Sequence, residues 1–326
     1  MSECPNGLTA LGSSTTSITT IKTENTTIEC KDVKGSLNIT AQNVTIKNSK
    51  LSYDAGGGES VGGSGVIKIL DDASATIEQV ELDGMNKTHA CIFNLGVKGN
   101  TLKYSMVVKK VNCHNASDGI FSWYSAPGST YPSKYPNTAS DFIIEDSYLH
   151  DFTEGAANGH IDGYQSQGTS NGIIRRNTFN VSIRPGDTHV IGGALNSAIA
   201  IWNVSNSVSN YEVSNNLISG GGFAIYVYDR HPEVVPDSEK EKGGNGVGGY
   251  TVKGVKVLNN SFSNYFNKCI GRYGVWFARD LWPPLYGGPT GGWSPTNNKP
   301  DDNYRDGNKV LETNLDLDNG NPTGCE

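Results

Sequence analysis

The sequence predicts an all-β fold, a single-stranded right-handed parallel β-helix of about seven to nine coils with an irregular C-terminal cap. One strand-like segment recurs every 30 to 44 residues, and a second apolar strand follows each copy. A repeat of this length built from short strands is typical of a solenoid. Glycine is abundant, at 40 of 326 residues, which favours strands joined by tight turns.

The first repeated segment has a β-branched anchor followed five positions later by a second apolar residue. The anchors are Ile46, Ile77, Val108, Ile144, Ile174, Val213 and Val257. The second apolar residues are Leu51, Leu82, Cys113, Leu149, Phe179, Ile218 and Phe262. We expect both series to stack in the core, with Asn48, Asn215 and Asn259 in the turns between faces.

A second strand in each coil supplies another inward stack. Its members are Ile67, Ile92, Ile120, Tyr164, Ile199, Ile225 and Ile270. The segment before Thr40 caps or begins the helix. We therefore assign residues 1–275 to a β-helix with its N-terminal cap and residues 276–326 to an aromatic and glycine-rich cap of the same domain. A charged, glycine-rich insertion at residues 231–250 interrupts the period and is expected to form an overhanging loop.

Charge and apolar patterning exclude several classes of partner. The net charge of −7 argues against nucleic acid or an anionic membrane as the main partner, since both reward a basic surface. No apolar run is long enough to span a membrane. The six cysteines include no CxxC pair, and Cys4 and Cys30 are the favoured disulfide partners. We expect a secreted, extracellular monomer.

With these repeats, the chain resembles the pectin-lyase-like superfamily of parallel β-helix proteins, which includes polysaccharide lyases, polygalacturonase-like hydrolases, uronate epimerases and phage tailspikes. The segment HIDGYQ at residues 160–165 is similar to the NTDGID-type motif of the hydrolases, with Asp162 and Gly163 in matching places. The segment has His160 and Gln165 where that motif has Asn and Asp. The next coil, NSAIAIW, lacks the hydrolases' paired aspartates.

Titratable residues recur at the position after the second apolar residue. Asp83, His114 and His150 occupy this position in three consecutive coils, and one histidine could act there as a neutral base. The alternative is that these side chains only satisfy turn backbone.

Two aspartates followed by glycine recur at the start of the second strand. Asp118 and Asp162 lie in adjacent coils, so their carboxyl groups would be about 5 Å apart, the spacing that retaining glycosidases use. One carboxyl group could then serve as the acid. Each Asp-Gly pair alone is also ordinary turn chemistry.

Basic residues concentrate around the same coils. Arg176 could neutralise a sugar carboxylate while a base removes the adjacent proton, as a lyase requires, and Arg230 could add a substrate contact. No cofactor is certain and no metal ligand is assigned. The alternative is Ca²⁺ bound by oxygen ligands from Glu145, Asp146, Asp151 and Glu154.

One outward column is rich in aromatic residues, which pack against pyranose faces in sugar-binding grooves. The column comprises Leu70, Leu95, Trp123, Gln167, Trp202, Tyr228 and Tyr273. Packing under loops would explain these rings equally well.

The function favoured by these patterns is that of an extracellular carbohydrate-active enzyme that cleaves a polysaccharide by β-elimination on a uronic-acid-containing glycan. The catalytic candidates are Asp162, His160, His150, His114, Asp118 and Arg176. The candidates for substrate binding are Gln165, Trp123, Gln167, Trp202, Tyr228 and Arg230. The alternatives are a glycoside hydrolase that uses Asp162 and Asp118, or a non-catalytic glycan-binding β-helix.

Overall fold

The chain folds as a parallel β-helix with three faces. The computed structural model describes residues 3–57, 63–70, 73–95, 104–123, 140–153, 161–181, 195–202, 207–228, 252–267, 270–271, 274–278 and 304–317. Every strand pairing between consecutive coils is parallel, and the described residues contain no helix and so no helix that could cross a membrane. The prediction of an all-β parallel β-helix is confirmed.

Each face of the helix is one parallel sheet, here called sheet I, II or III in the order in which the chain passes through them. Sheet I contains β1 (Thr9–Leu11), β4 (Lys31–Lys34), β7 (Lys50–Ser52), the first parts of β10 (Glu81–Asn94) and β12 (Asn112–Trp123), β14 (Tyr148–His150), β17 (Thr178–Val181), β20 (Leu217–Gly220), β23 (Ser261–Phe262) and β26 (Lys309–Val310). Sheet II contains β2 (Ile18–Ile21), β5 (Ser36–Ile39), β8 (Gly65–Ile69), the second parts of β10 and β12, β15 (Ile161–Gln167), β18 (Leu195–Trp202), β21 (Phe223–Tyr228) and β24 (Gly274–Ala278). Sheet III contains β3 (Thr27–Glu29), β6 (Val44–Lys47), β9 (Ala75–Glu78), β11 (Met106–Lys109), β13 (Ser140–Glu145), β16 (Ser170–Arg175), β19 (Val208–Ser214), β22 (Val252–Leu258) and β25 (Tyr304–Asp306).

The predicted inward stacks form the core. All seven β-branched anchors are fully buried and pair in one unbroken column of sheet III. The residues five positions later do the same in sheet I. Each repeated segment therefore comprises a sheet III strand, a turn and a sheet I strand. This short, constant connection explains why the spacing of five never varies.

The inward stack of sheet II follows the prediction for six coils and then departs from it. Ile225 pairs with Trp276 and not with Ile270. The prediction for Ile270 was therefore wrong, and Ile270 only packs against the edge of the core. The Trp276 ring contacts the Phe262 ring at 5.2 Å, so a large aromatic side chain fills the last part of the core. A residue this bulky can replace isoleucine where the stack nears its end.

The helix extends beyond both ends of the repeats found in the sequence. Ile28, Val33 and Leu37 pair with the first predicted residue of each stack, so the segment before Thr40 begins the helix. Strands β24, β25 and β26 add to the three sheets within the segment that we expected to be an irregular cap. Arg305 takes the last anchor position and lies over the Trp276 ring, so this final coil lacks the apolar signature. The insertion at residues 231–250 lies outside the described residues.

Asparagines organise the corner between sheets III and I. Asn48, Asn215 and Asn259 have φ values of 51°, 54° and 53°, a left-handed conformation that asparagine tolerates. The next residue in successive coils forms a buried ladder, in which Asn216 Nδ2 donates to Asn260 Oδ1 at 2.9 Å and Asn177 Nδ2 donates to Asn216 Oδ1 at 3.1 Å. The ladder satisfies polar groups that the turn withdraws from water.

Two disulfides join cysteines of neighbouring coils. Cys4 pairs with Cys30, as the sequence suggested, and Cys91 pairs with Cys113. Cys269 and Cys325 lie outside the described residues.

Candidate functional site

Asp118 and Asp162 lie on the outer face of sheet II although both are buried, with 1% and 0% of their surface exposed. A Cβ added to the next residue, Gly119, would come within 2.8 Å of the Leu149 side chain in the core. Residue 119 therefore faces inward, and so does Ile120. Because Gly119 faces inward, the preceding residue, Asp118, faces outward. Gly163 also faces the core, so Asp162 faces outward in the same way.

Hydrogen bonds connect these paired carboxylates across three coils. The backbone N–H of Asp162 donates to Asp118 Oδ1 at 3.0 Å. Ser197 Oγ donates to Asp162 Oδ1 at 2.8 Å. Asp118 and Asp162 are thus in contact in adjacent coils, and a hydroxyl group in the next coil extends the group.

His89 completes this group, and sequence reasoning missed it. Its Nε2 lies 3.3 Å from Asp118 Oδ2, an oxygen that has no hydrogen bond to the described residues. Its Nδ1 accepts a hydrogen bond from Gly63 N–H at 2.9 Å, so the proton of the neutral ring resides on Nε2 and faces the carboxylate. A register shift in β10 between Asp83 and Thr88 brings His89 beside Asp118, and no periodic pattern reveals that shift.

Aromatic and amide side chains continue the outer face of sheet II on both sides of the paired carboxylates. Phe121 pairs with Gln165 one coil later, and both side chains are nearly buried. Further along the axis, the Tyr226 ring lies 5.6 Å from the Trp202 ring and 6.1 Å from the Phe223 ring. This face therefore offers carboxylates, an amide and a group of rings along one line.

The outward column predicted from the sequence has the expected register over four coils. Trp123 pairs with Gln167, Gln167 with Trp202, and Trp202 with Tyr228. Trp202 and Gln167 are half-buried, and the side chains of Trp123 and Tyr228 lie outside what the structure describes. Tyr273 also lies outside the described residues.

The row formed by Asp83, His114 and His150 lies on the outer face of sheet I. The three residues pair in register, and the two imidazole rings stack with their centroids 5.4 Å apart. The Tyr148 ring also stacks on the His150 ring, with the centroids 3.9 Å apart. The row and the paired carboxylates therefore flank the same corner of the helix but belong to different sheets.

Both ring nitrogens of His150 are engaged by neighbouring side chains. Nδ1 lies 2.9 Å from Asp151 Oδ2, and Nε2 lies 2.8 Å from Asn112 Oδ1. Burial lowers the pKa of His150, and the neighbouring Asp151 carboxylate opposes this effect only in part. His150 is consequently biased towards its neutral form.

His114 lies among carboxylates on the same face. Its Nε2 is 3.5 Å from Glu81 Oε1, and its Nδ1 is 3.9 Å from Asp83 Oδ1. Lys50 Nζ pairs with the same Glu81 oxygen at 2.8 Å. These contacts connect polar side chains of three coils of sheet I.

Arg176 lies at the corner between sheets III and I, not on the outer face of sheet II. Its Nε donates to Asp146 Oδ1 at 2.7 Å and its Nη2 donates to Glu145 Oε2 at 2.7 Å. Arg175 Nε also donates to Glu145 Oε2, at 2.9 Å. We expected Arg176 to neutralise a sugar carboxylate, but its guanidinium group is already paired with the carboxylates of Glu145 and Asp146.

The same contacts occupy the oxygens suggested as Ca²⁺ ligands. Glu145 and Asp146 bind arginines, Asp151 faces His150, and Glu154 lies outside the described residues. Within the described part of the chain, no three His, Cys, Asp or Glu side chains are grouped to hold a metal ion. His160 and Arg230 also lie outside that part.

Comparisons with known proteins give structural similarities only. No protein-family model matches the sequence, and no relative is found among curated proteins. The A-module of the Azotobacter vinelandii mannuronan C-5 epimerase AlgE6 matches 87% of this chain and 64% of its own length, with a TM-score of 0.47 and 11% identity. The AlgE4 A-module of the same organism matches 74% of this chain and 53% of its own length, with a TM-score of 0.43 and 11% identity. The Dettilon tailspike protein matches 78% of this chain and 54% of its own length, with a TM-score of 0.35 and 10% identity.

Proposed function

We propose that this protein is an extracellular carbohydrate-active enzyme that cleaves a polysaccharide on the outer face of sheet II, with Asp162 as its acid and Asp118 as the carboxylate that attacks or stabilises the sugar. The observation that carries the proposal is the stacking of these two buried carboxyl groups on an outer face. Burial of a carboxylate is unfavourable unless it is paired. Within the described residues only His89 approaches Asp118 as a potential cation. Two carboxyl groups in adjacent coils are the arrangement that an acid and a nucleophile of a glycosidase need.

The hydrogen bonds favour different roles for the two carboxyl groups. The backbone N–H of Asp162 donates to Asp118 Oδ1 at 3.0 Å, and His89 Nε2 lies 3.3 Å from Asp118 Oδ2, so two donor groups face this carboxyl group. We therefore assign Asp118 as the carboxylate that attacks or stabilises the sugar, and Asp162 as the acid that protonates the glycosidic oxygen. The carboxyl groups belong to adjacent coils, with a rise of about 4.8 Å, which suits a retaining glycosidase mechanism.

The rest of the outer face suits a glycan that runs along the helix axis. Trp202, Tyr226 and Phe223 provide ring surfaces two to three coils beyond Asp118, and sugars pack well against such rings. Gln165 lies between these rings and Phe121 and can orient a hydroxyl group.

β-Elimination at the His row remains a second candidate. The lowered pKa of His150 favours it, because a neutral imidazole can accept the C5 proton of a uronate. The ion pairs of Arg176 favour hydrolysis instead, because they leave this mechanism without its expected partner for the sugar carboxylate.

Location outside the cell is also part of the proposal. The two disulfides, Cys4–Cys30 and Cys91–Cys113, support it, because disulfides persist in oxidising compartments and are rare in the cytosol.

A polysaccharide screen tests the reaction type. Wild type, Asp162→Asn and His150→Gln are incubated with acidic and neutral polysaccharides while reducing ends and absorbance near 235 nm are followed. New reducing ends that only Asp162→Asn abolishes support hydrolysis on sheet II. A rise at 235 nm that only His150→Gln abolishes supports the lyase instead. Glycan binding without either product would leave the non-catalytic binding protein as the explanation.

A further inference from the structure

Lys68 lies on the outer face of sheet II, in the same column as Phe121 and Gln165. Lys68 pairs in register with Phe93, Phe93 with Phe121, and Phe121 with Gln165. Strand β8, which carries Lys68, is two coils from the part of β12 that carries Asp118, a separation of about 10 Å. The lysine and the paired carboxylates thus share one continuous face.

The side chain of Lys68 lies flat on this face. A Cβ added to Gly65 would come within 3.1 Å of Lys68 Cγ, so the glycine leaves room for the aliphatic part of the lysine. The ammonium group lies over the Phe93 ring, 5.4 Å from its centroid. Phe93 in turn contacts Phe121 at 5.1 Å and His89 at 6.0 Å, and His89 faces Asp118. A continuous wall therefore connects the cation to the candidate catalytic pair.

No carboxylate of the described residues lies within ion-pair distance of Lys68, whereas Lys50, Lys87 and Lys109 each have one. Burial without a counter-charge lowers the pKa of Lys68. An anion bound at this position would offset that cost.

A second unused polar atom adjoins Lys68. Asn38 pairs with Lys68 in the preceding coil, and its buried Oδ1 has no hydrogen bond to the described residues. A buried acceptor without a donor is unfavourable, and a sugar hydroxyl group is a suitable donor. A cation and an acceptor that have no ion-pair or hydrogen-bond partner among the described residues therefore lie side by side on the face that we assign to the glycan.

We propose that Lys68 and Asn38 form a subsite for an anionic sugar, with Lys68 binding its carboxylate or sulfate group and Asn38 accepting a hydrogen bond from a hydroxyl group. This inference rests on the proposed function and specifies its substrate class, an acidic polysaccharide that extends two coils beyond Asp118 towards the N-terminal end of the helix.

Affinity electrophoresis tests the subsite without requiring turnover. The probes are polygalacturonate for a carboxylate, κ-carrageenan for a sulfate and unsubstituted galactan as the neutral polymer. The variants are Lys68→Met, which keeps an unbranched stem, Lys68→Arg, and Lys253→Gln, which removes an exposed charge from sheet III.

The expected result is that wild type binds at least one anionic polymer more tightly than galactan. Lys68→Met should lose about tenfold in affinity for that polymer, the effect of removing one charged hydrogen bond, while Lys68→Arg and Lys253→Gln remain within about threefold of wild type. Equal affinity of Lys68→Met and wild type would overturn the inference, and so would an equal loss in Lys253→Gln or a failure of wild type to distinguish anionic polymers from galactan.

Activity measurements on the same variants separate the two proposals. Cleavage of neutral galactan with no effect of Lys68→Met would leave the proposed function standing and remove the subsite. Binding of an anionic polymer through Lys68 without any cleavage would support the subsite and contradict the proposed function.

Discussion

Acidic side chains have opposite surroundings in two regions of this β-helix. At the corner between sheets III and I, Glu145 and Asp146 receive hydrogen bonds from Arg175 and Arg176. On the outer face of sheet II, Asp118 and Asp162 contact a histidine, a serine and a backbone N–H, and no arginine or lysine of the described residues pairs with Asp118. The acidic groups of the corner are thus paired with arginines, whereas the partners shown for the two aspartates of sheet II are an imidazole, a hydroxyl group and a backbone N–H.

This difference separates a structural region from a candidate functional one. Burial raises the pKa of Glu145, but Arg175 and Arg176 together outweigh this effect, so its pKa lies below the ordinary value and the group is ionised near neutral pH. The corner also contains the asparagine ladder, in which donors and acceptors bind each other from coil to coil. Substitutions at the corner should therefore reduce stability, and those on the sheet II face should reduce activity.

Replacement of Asp162 should have the largest effect. Asp162→Asn removes the proton that the proposed mechanism transfers but keeps the side-chain shape, so turnover should fall by about 10²-fold or more. Reducing-end release from the polysaccharide identified in the screen measures this. The matched control is Glu145→Gln, which should keep at least half of wild-type turnover. Comparable losses in both variants would break the distinction between the two regions.

The asparagine ladder should show the largest effect on stability. Asn216→Ala leaves the amide and the backbone N–H of Asn177 without their acceptor, so the free energy of unfolding should fall by about 3 kcal/mol. Urea unfolding measures this. The adjacent Asn215 has a φ of 54°, which glycine adopts freely, so Asn215→Gly should change stability by less than about 0.5 kcal/mol. Equal losses in the two variants would show that the ladder is not the cause.

Removal of the carboxylate at the corner should have a smaller, pH-dependent effect. Glu145→Gln should lower the free energy of unfolding at pH 7 by about 1 to 3 kcal/mol, because two arginines lose a mostly buried partner. Since the pKa of Glu145 in the folded state is below its ordinary value of 4.5, its stabilising contribution is present above pH 4.5 and is lost as the pH falls through the folded pKa. The difference between wild type and variant in urea unfolding should therefore shrink at acidic pH. A constant difference would contradict the ion-pair explanation.

The smallest expected effect concerns the histidine row. Burial lowers the pKa of His150 below its ordinary value of 6.5. As the pH falls below 6.5, the unfolded chain therefore takes up a proton at this residue before the folded protein does, and the free energy of unfolding decreases. The decrease stops once the pH is below the folded pKa, because both states are then protonated. An NMR titration of the imidazole resonances should give a pKa below 6.5. His114→Gln should raise that pKa slightly, because the charge on the stacked imidazole opposes protonation of His150. A pKa above 6.5 would show that Asp151 dominates and that His150 is unsuited as a neutral base.

Sequence repeats predict much of this fold because one physical constraint recurs in every coil. The anchor and the residue five positions later lie on opposite sides of a short corner turn, so their spacing cannot change without breaking the turn. The positions of the sheet II strands are harder to predict from the repeat, because the connections on either side of these strands vary in length. Trp276 was missed for this reason: Ile270 is a better match to the other six residues, but Trp276 takes this position in the structure and packs against Phe262.

The candidate site could be predicted only in part. Stacking of Asp118 on Asp162 followed from the repeat, because residues at one position of successive coils must lie close together. The repeat did not predict which side chains the charged groups contact. His89 reaches Asp118 through a register shift, and Arg176 binds acidic residues of the preceding coil, so neither contact is encoded in a periodic pattern.

The most direct test of the central claim is a crystal structure of the Asp162→Asn variant with an oligosaccharide of the polymer that it binds. Our account predicts sugar density along the outer face of sheet II, close to Asp118, Gln165 and the Trp202 ring. Density along the row of His114 and His150 on sheet I, with the sheet II face empty, would contradict it.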